Sequence, residues 1–192
     1  MRKYLLYIPT ACILLVMFTF VGCKKEYSFE GTDAIINTDT TSGGGTPAGI
    51  RVCPACIGKN VPLLAEWNFY ESNSFFCGVI DKAVVAPEKT AFTFFGPYSC
   101  HADSGIIISA YFDGKVLNKD WFNISTRNGA FYFYDNIGNT FAYISSSGNF
   151  TVTLESYIHQ TRIATGTFNG PVTRANGTIA FISSGRFKVK LE

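Results

Sequence analysis

The chain has 192 residues, 16 of them Lys or Arg and 14 Asp or Glu, so its formal net charge is only +2. A chain this close to neutral lacks the basic excess with which proteins bind nucleic acid, so no nucleic-acid partner is predicted. Aromatic residues make up 16% of the sequence, and there are 18 glycines. This composition favours β-strands joined by tight turns.

The first 23 residues have the pattern of an export signal. A short basic start precedes an apolar stretch, 5–21, which ends at Gly22 and Cys23. A cysteine directly after a small residue resembles a bacterial lipobox, in which Cys23 is lipidated and becomes the new N-terminus. The resemblance implies a lipoprotein of the bacterial cell envelope, attached to the outer membrane by its N-terminal lipid. The alternative is an uncleaved membrane anchor, for which this stretch, interrupted by Pro9, is short.

Residues 23–49 are predicted to form a flexible tether. The segment is rich in small polar residues and contains the run Gly43-Gly44-Gly45. It cannot bury enough apolar surface to offset the entropy of ordering its backbone. The predicted organisation is therefore a signal peptide, 1–22, a lipidated cysteine with its tether, 23–49, and a single β domain, 50–192.

Strand patterns and turn residues alternate through the predicted domain. In the segment 149–157, for example, Phe150, Val152 and Leu154 alternate with polar residues, which is the period of a half-buried strand. No segment outside the signal has a sustained helical period. The fold class is therefore predicted as all-β, an antiparallel β-sandwich or barrel of roughly 8–11 strands with no long helix. The predicted strands are 65–70, 75–86, 90–95, 105–112, 121–126, 130–134, 140–144, 149–157, 163–168, 178–182 and 186–191.

The C-terminal segment, 186–191, places three apolar residues on one face and three cationic residues on the other. Positive charge of this kind is typical of an exposed edge strand. The segments 163–168, with its Gly-Thr-Phe sequence, and 182–189, with Ser-Gly-Arg-Phe, resemble the closing hairpin of a group of Bacteroidetes lipoproteins. This resemblance implies an envelope location and a β architecture, and it supplies no active-site residue.

Four cysteines of the domain, Cys53, Cys56, Cys77 and Cys100, are predicted to form two disulfides. Neither bridge is expected to be Cys53–Cys56, because closing so short a loop contributes little, so the Cys53–Cys56 segment should pair with Cys77 and Cys100. Two alternatives stay open. One is a zinc site of four thiolates, with His101 and Asp103 close by, and the other is a thioredoxin-like redox centre at the Cys-Pro-Ala-Cys motif.

The sequence contains no recognisable catalytic motif, so the chain is predicted not to be an enzyme and to need no cofactor or metal. Its only histidines are His101 and His159, and its acidic residues are scattered, mostly beside turn signals. The alternative function is an envelope hydrolase that acts on glycans through two carboxylates brought together by the fold.

Binding is the preferred function. In Phe131-Tyr132-Phe133-Tyr134 the side chains alternate between two faces of a strand. If the phenylalanines face the core, Tyr132 and Tyr134 form an outward aromatic pair suited to a glycan or protein ligand. The alternative is that the tyrosines only cover the sheet surface. The predicted function is thus a lipid-anchored binding or structural surface module.

Overall fold

The computed structural model describes residues 51–135, 140–145 and 148–192. The predicted signal peptide, 1–22, the lipidation site Cys23 and the tether, 23–49, lie outside these residues. In the described part, no helix is both long and apolar enough to cross a membrane. Its helical segments are two 3₁₀ turns, Pro54–Cys56 and Val116–Asn118. The all-β prediction is confirmed.

The described residues form twelve strands, one more than the upper predicted number because a two-residue strand precedes the first predicted one. The period-2 alternation marks most of the longer strands correctly. The strands are β1 (Arg51–Val52), β2 (Glu66–Glu71), β3 (Ser74–Val79), β4 (Lys82–Val85), β5 (Ala91–Tyr98), β6 (His101–Tyr111), β7 (Trp121–Thr126), β8 (Asn128–Asp135), β9 (Thr140–Ser145), β10 (Thr151–Ile158), β11 (Ile163–Arg174) and β12 (Ile179–Lys190).

Several strands, such as β6 and β11, are longer than predicted, and in two places the division into strands differs. The predicted strand 75–86 divides into β3 and β4 because its partner changes: Ile80 N–H still donates to the Ala65 carbonyl beside β2, whereas Asp81 N–H donates to the Phe95 carbonyl of β5. In contrast, the last two predicted strands join into β12. The pairing of β12 with β2 shifts in register between Ser183 and Arg186, and Ser184 adopts a positive φ of 49° there. A bulge of this kind bends a strand without ending it.

Eight strands close into an antiparallel barrel, which decides between the sandwich and the barrel. Around the ring the order is β3, β2, β12, β11, β9, β8, β6 and β5, with β5 returning to β3. The other four strands lie outside the ring. β1 pairs in parallel with β3, β4 pairs with β5, and β10 lies between β11 and β7.

The expectation that the last strand lies at a sheet edge is wrong. β12 is hydrogen-bonded on both sides, to β11 and to β2. Phe187 and Val189 are buried in the barrel, whereas Arg186 and Lys190 are exposed on its outside. The alternation of charge therefore reports which face of the strand meets water, and says nothing of whether its backbone edges are paired.

Aromatic side chains fill the inside of the barrel. Phe69 stacks on Phe76 at a centroid distance of 4.8 Å and meets Phe131 edge-on at 5.4 Å. Phe168 and Phe187 are fully buried and stack on each other at 6.5 Å. A small barrel packed in this way has a solid core rather than a channel.

The barrel closes at the junction between β3 and β5, which we call the seam. Only one residue pair, Gly78 and Tyr98, joins the two strands in register. One further backbone hydrogen bond crosses nearby, from Ser99 N–H to the Cys77 carbonyl at 2.9 Å. Beyond β3, Asp81 N–H donates to the Phe95 carbonyl, where β4 begins to pair with the same edge of β5. The seam is thus the most sparsely hydrogen-bonded junction in the ring.

Trp67 supports the seam from the inside. Its side chain is 1% exposed, and its Nε1–H donates to the Val79 carbonyl at 3.0 Å. The indole lies against Gly78 and Gly96, where a Cβ atom on either residue would overlap the ring. Glycine is required at both positions because any side chain would occupy the space that Trp67 fills.

Consecutive hairpins place three described turns at one end of the barrel. The β2–β3, β5–β6 and β11–β12 turns lie there, and β8 ends and β9 begins at the same end. We call this end the hairpin end. It carries polar residues from four distant parts of the sequence.

Substitution of Gly96 by alanine is expected to lower the free energy of unfolding by at least about 3 kcal/mol, because the new methyl group overlaps the Trp67 indole and the Val79 carbonyl. Chemical denaturation with tryptophan fluorescence measures this loss. The matched control is Gly177→Ala, in a turn with a φ of 81° and open space around its Cβ position, where backbone strain alone costs about 1 kcal/mol. Equal losses in the two variants would contradict the packing argument.

Candidate functional site: an outer groove and a cysteine cluster

A shallow groove of about 380 Å³ lies on the outer face of β6 and β8. We call it the outer groove. Its described lining combines two tyrosine rings with small polar and apolar residues, none of which is charged. The described lining residues are Tyr111, Asn128, Gly129, Ala130, Tyr132, Ser145 and Gly148.

Strand alternation brings the two tyrosines to the groove. In β6, Ile108 and Ala110 are buried, so Tyr111 points outward and is 55% exposed. In β8, Phe131 and Phe133 are buried, which turns Tyr132 outward, half-buried. The predicted inward direction of the two phenylalanines is therefore found in the structure.

The two rings stand at opposite ends of the groove. Tyr111 is paired with Asn128, and Tyr132 lies four residues further along β8. At a rise of 3.3 Å per residue the two positions are about 13 Å apart along the strands. Ala130 and Gly129 separate them, so the floor between the rings is low and open to a flat ligand.

Local hydrogen bonds hold this geometry. The Thr126 hydroxyl donates to the Tyr111 carbonyl, and Asn128 N–H donates to the same hydroxyl oxygen at 3.0 Å. At the side of the groove, Phe131 N–H donates to Ser145 Oγ at 2.8 Å. These contacts connect the ends of β6, β7, β8 and β9, so the lining does not depend on one loop.

Tyr134 does not line the outer groove, although it is half-buried on the same face of β8 as Tyr132. Its hydroxyl oxygen lies over Gly105, only 2.6 Å from where a Cβ atom would stand. Burial, followed by the negative charge of Asp81, raises the pKa of the Tyr134 phenol. The structure thus gives the two members of the predicted pair different surroundings.

The four domain cysteines are paired at long range, Cys53 with Cys100 and Cys56 with Cys77. Their Cα atoms are 6.3 Å and 5.5 Å apart, within the range for disulfides. The sequence separations are 47 and 21 residues, which in the loop-entropy model correspond to about 4 and about 3 kcal/mol of stabilisation.

Both bridges meet at the seam. Cys77 belongs to β3, and Cys100 lies in the turn that follows β5. Because Cys53 and Cys56 are joined by a single 3₁₀ turn, this short segment connects the two strands of the seam covalently. The bridges therefore reinforce the junction that has the fewest ladder hydrogen bonds.

The sulfur atoms of the two bridges form one cluster. The Sγ atoms of Cys53, Cys56 and Cys100 all lie within 4.8 Å of one another, and those of Cys53 and Cys56 are 3.4 Å apart. His101 and Asp103 do not belong to this group. A zinc site would need free thiolates, whereas these sulfurs are bonded in pairs.

A second cavity of about 220 Å³ opens beside the cluster at the hairpin end. Aromatic rings and polar groups share its lining, and Ser104 Oγ donates to Asp135 Oδ1 at 3.3 Å. We call it the end cleft. It is lined by Val52, Cys53, Ser74, Phe75, Phe76, Tyr98, His101, Ser104, Phe133 and Asp135.

The two histidines are not brought together. His101 begins β6 at the hairpin end, where its ring lies 5.7 Å from that of Tyr98. His159 is exposed in the turn before β11, at the opposite end of the barrel. A shared catalytic role for the two residues is therefore ruled out by their positions.

A buried carboxylate at the hairpin end has one cationic and two hydroxyl partners. Glu71, 5% exposed, forms an ion pair with Arg174, 103 residues away, and accepts hydrogen bonds from the hydroxyls of Tyr143 and Ser72. Burial is the main cause that raises the pKa of Tyr143 to about 12, and the neighbouring Glu71 carboxylate adds to the effect while Arg174 opposes it.

Sequence reasoning missed Tyr111, Asn128 and Ser145. For Tyr111 a signal was present, since the alternation of Ile106, Ile108 and Ala110 with intervening residues already places position 111 on the outer face. Asn128 and Ser145 belong to the groove only because β8 lies between β6 and β9, and no local pattern reports that order.

No protein-family model, curated protein or solved structure matches the chain.

Alkaline conditions are expected to destabilise the fold partly through Tyr143. Between pH 10 and 12 an unfolded tyrosine loses its proton while folded Tyr143 keeps it, so this contribution to the free energy of unfolding is complete below pH 10 and is lost as the pH rises to about 12. Tyr143→Phe should flatten that part of the stability profile relative to the parent chain. Denaturant titrations from pH 8 to 12 measure the free energy of unfolding of both chains. If it falls equally in both above pH 10, the role of Tyr143 is contradicted.

Proposed function

We propose that this protein is a lipid-anchored envelope protein that binds neutral glycans in the outer groove. The observation that carries the proposal is the chemistry of the groove, in which two outward tyrosines flank a floor whose described residues are uncharged. The anchor rests on the lipobox pattern at Cys23.

The groove suits a sugar better than a charged ligand. A phosphate or a charged peptide side chain would find no opposite charge among the described lining residues. A sugar has C–H faces that stack on aromatic rings and hydroxyls that exchange hydrogen bonds with Tyr and Asn side chains, which present both an apolar body and a polar group. The open, shallow form of the groove also admits a chain of sugars that continues beyond it.

The glycan-hydrolase alternative gains no support from the carboxylates at the hairpin end. Glu71 is paired with Arg174 and Tyr143, and Asp135 accepts a hydrogen bond from Ser104. A glycosidase needs one carboxyl group as an acid and another as a nucleophile or base, both facing the bound sugar. The absence of enzymatic activity stays a prediction.

Glycan binding is tested by applying the purified chain to an array of neutral glycans and then titrating the strongest ligand calorimetrically. Tyr132→Ala is expected to weaken binding at least tenfold, because stacking and a hydroxyl are lost together. Tyr132→Phe keeps the ring and should weaken binding less. Tyr111→Ala should reduce affinity for extended glycans more than for single sugars, because its ring stands at the far end of the groove.

Two control variants make the result specific. Phe122→Ala removes an aromatic ring of β7 that is 61% exposed and lies outside the groove, so affinity should not change. Tyr134→Ala alters the same face of β8 outside the groove and should also leave affinity unchanged. Equal weakening by Tyr132→Ala and Tyr134→Ala would instead support the predicted tyrosine pair, and no neutral ligand on the array would overturn the proposal.

The anchor is tested separately by metabolic labelling with a fatty-acid analogue. The wild-type chain should incorporate the label, and Cys23→Ala should not, because the lipid attaches to that sulfur. Cys12→Ala, in the same N-terminal region, is the matched control and should be labelled as the wild type is. Equal labelling of the Cys23 and Cys12 variants would contradict the lipoprotein assignment.

A further inference from the structure

The geometry points to a thiol–disulfide exchange site in the cysteine cluster: an external dithiol reduces the Cys53–Cys100 bridge, and Cys53 then displaces Cys77 from Cys56. The product contains a Cys53–Cys56 disulfide and two free thiols, on Cys77 and Cys100. The proposal does not depend on glycan binding.

Burial directs the attack to one sulfur. Cys53, Cys56 and Cys77 are 7%, 1% and 1% exposed, whereas Cys100 is only half-buried in the turn after β5. Exchange begins with a thiolate that reaches a disulfide sulfur, and accessibility selects which sulfur is attacked. Attack at Cys100 makes Cys53 the leaving group.

The released Cys53 thiolate already lies next to its target. Its Sγ is 3.4 Å from Cys56 Sγ, close to van der Waals contact between the two sulfurs. The 3₁₀ turn Pro54–Cys56 and the hydrogen bond from Cys56 N–H to the Cys53 carbonyl, 2.9 Å long, hold the two residues together. The second step is therefore intramolecular and needs little movement of the chain.

Atoms and electrons balance with one dithiol. Its first thiolate bonds to Cys100 Sγ and expels the Cys53 thiolate. That thiolate bonds to Cys56 Sγ and expels the Cys77 thiolate, which takes a proton. The second thiol of the reductant then closes on its first sulfur and releases Cys100 as a thiol. The dithiol is oxidised by two electrons, and the protein gains two thiols while keeping one disulfide.

The exchange removes the covalent support of the seam. In the native pairing the segment Pro54–Cys56 is bonded to β3 through Cys77 and to the end of β5 through Cys100. In the exchanged form both bonds are gone, and the new ring closes within the segment. β3 and β5 are then joined by the sparse hydrogen bonds around Gly78 and Tyr98, and beyond them by β4, which follows β3 and pairs with β5. The redox state of the surroundings would thus set how firmly the barrel is closed.

The experiment titrates dithiothreitol into the full chain, purified from an oxidising compartment, until two domain thiols are alkylated by N-ethylmaleimide. Tryptic mapping without reduction then locates them. Cys53 and Cys56 share the peptide 52–59, Cys77 lies in 60–82, and Cys100 lies in 90–115. The expected main product has an internally bridged peptide 52–59, with 60–82 and 90–115 both alkylated.

Other alkylation patterns overturn the inference. If Cys53 and Cys100 are alkylated while 52–59 stays linked to 60–82, the two bridges react independently. Direct passage to four thiols, with no two-thiol species, also excludes the exchange. In the two-thiol form the amide of Ser99, which donates to the Cys77 carbonyl across the seam, should exchange hydrogen at least tenfold faster than in the native form; an unchanged rate would contradict the structural consequence.

A variant tests the second step without any reductant. Cys100→Ser leaves Cys53 as a thiol beside the Cys56–Cys77 bridge, so Cys77 should become alkylatable and peptide 52–59 internally bridged as the pH is raised and Cys53 ionises. The matched control, Cys53→Ser with Cys100→Ser, has no attacking thiol and should keep Cys56–Cys77 intact. Retention of Cys56–Cys77 in both variants overturns the proposal.

Discussion

Closure of the barrel at the seam between β3 and β5 is the constraint on which the rest of the fold depends. An eight-stranded ring needs every strand to have two neighbours, yet here one junction has a single registered pair, Gly78 with Tyr98. Trp67 compensates from the inside by packing against Gly78 and Gly96. The disulfides compensate from the outside. Apolar packing and covalent bonds thus take the place of a hydrogen-bonded ladder.

The filled interior determines where a ligand can bind. Phe69, Phe131 and Phe168 occupy the space that a ligand-binding barrel would leave open. Recognition must therefore use the outer face or an end of the barrel. On the outer face, the inward-directed residues of β6 and β8 serve the core, and the alternate positions are available for binding. The outer groove follows from the same alternation that builds the barrel.

Local patterns of the sequence were sufficient to predict the all-β class, most of the strands, and which faces of β8 and β12 are buried. They could not reveal which strands become neighbours, because neighbours such as β2 and β12 are far apart in the chain. For this reason β12 was wrongly expected at an edge. The ion pair of Glu71 with Arg174 joins residues 103 apart and has no local signal. Similarly, Tyr132 and Tyr134 share a strand face, but neighbouring strands give each of them different surroundings.

The groove and the cysteine cluster occupy opposite sides of β5, and the strength of the pairing differs on the two sides. Toward β6, β5 is paired along nearly its whole length, from Ala91 to Tyr98, and β6 is paired in turn with β8 through eight registered pairs. On its other edge β5 has one registered pair with β3 and four with β4, the strand that follows β3. The two disulfides lie at the β3 end of that edge, away from the β5–β6–β8 sheet. The outer groove on β6 and β8 therefore lies on the far side of β5 from the two disulfides.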